Sequence, residues 1–75
     1  MKTRTVYRIS AFSWNADRED YDSIIIGEHN SEIDAWARFC ALRVSADMPQ
    51  ITLYRITLCT PGTAEFSREI LCRKE

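Results

Sequence analysis

The sequence predicts an α+β domain, a four-stranded antiparallel sheet of two hairpins with one helix on one face, in the order ββαββ. Three observations predict it. Four segments are rich in β-branched and aromatic residues. One central segment is apolar at helical spacing and opens on a capping pattern. Pro61-Gly62 separates the last two strand-like segments as a turn.

The first strand is TRTVYRISAFSW, Thr3 to Trp14. Its alternation puts Tyr7, Ile9 and Ala11 on a core face. Arg4, Val6, Arg8, Ser10, Phe12 and Trp14 form a mixed face that is only partly in water. Asn15 to Asp22 is polar and acidic and reads as the hairpin loop. Ser23 to His29 is the second strand; three consecutive isoleucines suit a strand covered on both faces, and Gly27 marks a bulge or strand end.

The helix follows. Ser31 is its N-cap and Asp34 stands three residues on, in the [ST]-x-x-[DE] pattern. Glu32 and Asp34 sit where the positive end of the helix dipole favours them. The pattern runs to about Ala46 or Asp47, because Pro49 blocks continuation. At about 100° per residue, Ile33, Trp36, Ala37, Cys40, Ala41 and Val44 form one broad stripe, assigned to the sheet. Ala35, Phe39, Leu42 and Ala46 form a second stripe on nearly the opposite side.

The third strand is Gln50 to Thr60 and the fourth Thr63 to Lys74. A three-residue loop with Gly62 left-handed is the preferred register. It places Ile56 opposite Phe66 and Leu58 opposite Ala64, apolar against apolar.

Composition narrows the function. The chain has 75 residues, 45% apolar and 28% charged, with a net charge of -1. One domain is the sensible reading, and a chain of this size buries only roughly 60% of its unfolded surface. Such a domain often gains stability from a partner. A general nucleic-acid binder is usually clearly basic, and a whole-molecule DNA mimic far more acidic. No apolar run reaches the roughly 18 residues a membrane helix needs, no signal peptide is evident, and Cys40, Cys59 and Cys72 lack paired spacing. A soluble, cytoplasmic protein without a cofactor is expected.

Catalytic signals are weak. His29 is the single histidine, and its place before the N-cap fits a capping or surface role. Asp17, Glu19, Asp20 and Asp22 crowd one loop without the pattern or glycine of a calcium loop. They read as a solvated loop or, less readily, as a phosphate imitation for a basic partner. The cysteines show no zinc spacing and read as small apolar residues.

Two surfaces are candidates for partner binding. The first is the outer helix stripe, with Phe39 and Leu42 as anchors and Arg38 and Arg43 beside them. It would serve a foreign protein or a homodimer. The second is formed by Arg4, Arg8, Arg55 and Arg68 on the sheet, near Phe12, Trp14 and Tyr54. An arginine and aromatic sheet suits a protein partner or, as the second choice, bases of a nucleic acid.

Size, element order and the want of a catalytic motif resemble small phage-encoded inhibitor proteins, including some anti-CRISPR proteins. The resemblance covers the whole chain as a layout and carries no motif, so it transfers no functional residue. It implies a non-enzymatic inhibitor that occupies a surface of a host protein or ribonucleoprotein complex. HicB-like antitoxin domains also begin strand, loop, strand, helix, but this chain lacks their proline and glycine second-strand signature.

Overall fold

In the computed structural model, which describes residues 2–62 and 64–75, the elements are β1 (Lys2–Asn15), β2 (Asp20–His29), α1 (Glu32–Ala41), β3 (Gln50–Thr60) and β4 (Glu65–Lys74). The sheet order is β2-β1-β3-β4 and every pairing is antiparallel. The ββαββ layout is as the sequence predicts. β1 takes a central place because it is apolar on both faces: Ile9 and Ala11 are buried on one, Val6 on the other.

Register sorts the side chains. Ile9 lies opposite Leu53 and Ala11 opposite Ile51, and these four pack with Ala35 and Phe39 of the helix. Residues of the other parity, Val6 opposite Ile56 with Leu58 beside them, form a second buried cluster on the face without the helix. Tyr54 packs against this second cluster.

The helix is rotated from the sequence expectation. Its buried residues are Ala35 and Phe39, and Leu42 and Trp36 pack at the margin. Ile33 is 81% exposed, and Ala37, Cys40, Ala41 and Val44 also face solvent. Volume and shape explain the choice. Ala35 lets the helix backbone approach the sheet, and the Phe39 ring fills the space one turn on. Trp36 closes the side, edge-on to Phe39 at 5.9 Å and 90°.

The helix also stops at Ala41 rather than at Ala46 or Asp47. The Lys74 ammonium, at the end of β4, donates to the carbonyl oxygens of Phe39 (2.7 Å) and Leu42 (2.8 Å). A cation at the negative end of the helix dipole satisfies carbonyls that another turn would have used. The N-terminus is as expected: the Ser31 hydroxyl accepts from the Asp34 amide at 3.4 Å.

The hairpins differ in detail too. The first is tighter than the predicted Asn15–Asp22 loop, because Asn15 accepts from the Asp17 amide (3.0 Å) and donates to Asp22 (2.8 Å). In β2 the pairing shifts beside Gly27, so Ile26 is the extra residue and reaches the helix-side core. β2 is an edge strand, which corrects its expected cover on both faces: Ile24 and Ile25 are exposed. In the second hairpin Gly62 is left-handed, with φ of 104°. The preferred register is not adopted. Ile56 faces Arg68 and Leu58 faces Glu65, with Phe66 left out of the ladder. The bulge sets arginine and glutamate beside the apolar cluster, where an arginine stem covers apolar surface. Thr63, the start of the predicted strand, lies outside the described residues.

Candidate protein-binding surface

The helix covers one face of the sheet and leaves the other open. Antiparallel partners share a face, so the open face can be read row by row from the register. Trp14 and Tyr21 form its first row, and Phe12, Ser23 and Gln50 the next. Ile25, Ser10, Thr52 and Arg73 follow, then Glu28, Arg8, Tyr54 and Ile70. The far rows hold Val6, Ile56 and Arg68, then Arg4, Leu58 and Glu65.

The two ends of this face have different chemistry. At the first, Phe12, Trp14 and Tyr21 are each exposed by 41–43%. Trp14 and Tyr21 stand edge to face at 5.1 Å. Phe12 and Tyr21 line an open hollow of about 500 Å³ with Pro49, Gln50 and Glu75. At the other end, ion pairs run across the sheet. Arg8 binds Glu28 at 2.9 Å and reaches over β3 to Glu65 at 3.8 Å. Glu65 in turn takes two bonds from Arg68, at 2.9 and 2.8 Å. The Arg68 guanidinium lies 4.7 Å from the Tyr54 ring centroid.

Arg68 beside it holds the Glu65 carboxyl below the usual glutamate range, chiefly by hydrogen bonding. The sign follows. A carboxyl lowered by folding contributes stability at pH above its unfolded value, and that contribution is lost as pH falls through the folded value. Thermal melts of the wild type and Glu65→Gln between pH 7 and 3 check this. The wild type is expected to lose its advantage over the variant on the acid side, and parallel curves would refute the coupling.

The sequence-predicted residues divide. Phe39 (1% exposed) and Leu42 belong to the helix-side core and form no outer surface, which corrects the first candidate patch. A homodimer seam or partner site built on them is thereby removed. Arg38 and Arg43 are exposed without that apolar centre. Arg4, Arg8 and Arg68 share the open face. Arg55 does not: it is on the helix side, between Glu32 (3.0 Å) and Glu69 (2.8 Å), with Tyr7 nearby. Glu32 first, then Tyr7 and Glu69, raise its pKa and keep it charged. Its parity in β3 opposite Tyr7 separates it from the other three arginines.

Tyr21, Ile25 and Ile70 enter the site without having been singled out as contacts, whereas Trp14 was already placed near the sheet arginines. The signal for Trp14 was the mixed face of the first strand. Ile70 required the bulged register, and Ile25 required knowing that β2 is an edge.

The remaining chemistry is dispersed. His29 lies opposite Tyr7 on the helix side, half-buried rather than at the surface, and its Nε2 has no hydrogen-bond partner among the described residues. None of the three cysteines forms a disulfide among the described residues, and Cys40 is exposed instead of facing the sheet. Arg18 sits within the acidic hairpin, 2.9 Å from Asp22 and 4.0 Å from Asp20. Among the described residues no three His, Cys, Asp or Glu side chains gather as a metal site, and no helix is long and apolar enough to cross a membrane. No family model matches the chain, and no curated protein or solved structure gives a match.

Proposed function

We propose that this chain is a non-enzymatic protein-binding module, a small cytoplasmic inhibitor or adaptor of the phage or mobile-element kind. It works by occupying a surface of a larger host protein or ribonucleoprotein complex, and its contact surface is the open sheet face. One observation carries the reading: a four-stranded sheet with a single ten-residue helix leaves a whole face bearing Phe12, Trp14, Tyr21, Ile25 and Ile70, each 41–60% exposed. Exposed apolar surface with a polar rim is the mark of an interaction site, and aromatic anchors dominate binding energy at such sites. A nucleic-acid reading of the same face is weaker, because Arg8 and Arg68 are neutralised by Glu28 and Glu65.

The test is affinity capture with the wild type and with Trp14→Asp plus Ile70→Asp, with and without nuclease. A stoichiometric protein that survives nuclease and is lost with the double variant is the expected result. At least a tenfold loss corresponds to about 1.4 kcal/mol or more. Capture abolished by nuclease and weakened steeply by salt would overturn it in favour of nucleic acid.

A further inference from the structure

The two ends of the slab also differ in charge, and the difference points to an occupant. The β1–β2 turn carries the exposed Asp17 and Glu19, while Asp20 and Asp22, opposite Asn15 and Ser13, belong by register to the helix side and pair with Arg18. At the opposite end of β1 stand Lys2 and Arg4, both exposed, with the Arg68–Glu65 pair nearby. Arg4 makes no ion pair or hydrogen bond among the described residues. One end of the slab is thus acidic and aromatic, the other basic. We propose that, when no foreign partner is bound, a second copy of this chain covers the open face, with its strands running antiparallel to those of the first. This deepens the binding-module reading above and rests on it for the identity of the face: self-association is the stored state that a partner displaces.

Size and charge both support the second copy. The molecule measures 42 × 27 × 15 Å, a thin slab whose two longer extents bound a face larger than the roughly 800 Å² each partner contributes to a standard interface. Two sheets stacked face to face about 10 Å apart would bury the exposed aromatics between two outer helices. Two orientations are open to a two-fold dimer with aligned strands. With the strands parallel, Lys2 and Arg4 of one copy meet the same cations of the other. With the strands antiparallel, the basic end of each copy lies over the acidic hairpin of its partner. A two-fold centred on Ile9 of β1 then brings Arg4 over Trp14 of the other copy. A guanidinium on an indole face is a favourable pairing.

Sedimentation equilibrium tests this over a range of protein concentrations. The wild type is expected to associate reversibly from 8.7 kDa to twice that mass with a micromolar dissociation constant. Lys2→Glu with Arg4→Glu should weaken the dimer at least about tenfold. Adding Asp17→Lys and Glu19→Lys to that variant should restore it. All four positions are exposed, and circular dichroism verifies that the fold is kept. A wild type that stays monomeric at the highest concentration overturns the proposal, and so does a dimer indifferent to both charge changes. Failure of the dimer leaves the capture experiment to judge the binding face. A wild type that dimerises but captures no protein instead defeats the reading of a foreign partner.

Discussion

Phe39→Ala is expected to destabilise the protein by about 3–5 kcal/mol, the usual range for removing a buried phenylalanine. A chain of this length has a total stability of about 4–11 kcal/mol, so the variant should be close to unfolding at room temperature. Three features set the size of the effect. The ring is 1% exposed and packs with Ile9, Ala11, Ile51 and Leu53. It stands edge-on to Trp36. It also lies 4.6 Å from the Lys74 ammonium, which holds the last carbonyls of α1. Removing the ring takes away a wall of the core and one contact of the helix's C-terminal clamp together. Urea unfolding of Phe39→Ala and Ile33→Ala side by side checks the helix orientation. Ile33 is 81% exposed, and its truncation should fall within about 0.5 kcal/mol of the wild type. The opposite ranking would mean that the broader apolar stripe is the one that packs.

That ranking bears on what can be read in a sequence. The strands, the single helix, the Ser31 cap and the left-handed Gly62 follow from local patterns: alternation, capping chemistry and turn residues. The helix face does not. Over ten helical residues the two stripes are both plausible, and counting apolar positions favours the wrong one. The decision lies in the sheet, whose surface under the helix accepts Ala35 and Phe39. The helix's end is similarly non-local, because Lys74 comes from 32 residues beyond Leu42. The candidate site shows the same division. The mixed alternation of the first strand already placed Arg4, Arg8, Phe12 and Trp14 on one face. Placing Arg68 with them and Arg55 against Glu32 needed the register of the third strand against its neighbours. The bulge that leaves out Phe66 has no glycine or proline of its own to announce it.

The same bulge underlies the second large effect. Ile56→Ala is expected to cost about 2–5 kcal/mol, although Ile56 is on the face that carries no helix. Its exposure is 0%, and Val6 and Leu58 beside it are at 1% and 2%. An open sheet face ordinarily leaves such residues wet. Here the cover is made of Tyr54 and of long polar side chains. Arg68 is opposite Ile56 in the ladder and bends over Tyr54. Arg8 spans from Glu28 toward Glu65 across the third strand. Exposed ion pairs of this kind contribute at most about 1 kcal/mol each, so the aliphatic stems rather than the charges account for most of the protection. The consequence can be measured. Arg68→Met keeps a stem of similar reach and should lose less stability in urea unfolding than Arg68→Ala. High salt should lower the stability of the wild type only slightly. If Ile56→Ala were nearly neutral, or if salt removed most of the stability, the cover would be electrostatic and the second cluster would not be a core. If both results follow expectation, the basic end of the open face is a rigid platform, already ordered before any partner arrives. Binding there would then require little further ordering of side chains, and the flexible contribution would be confined to the aromatic end around Phe12, Trp14 and Tyr21.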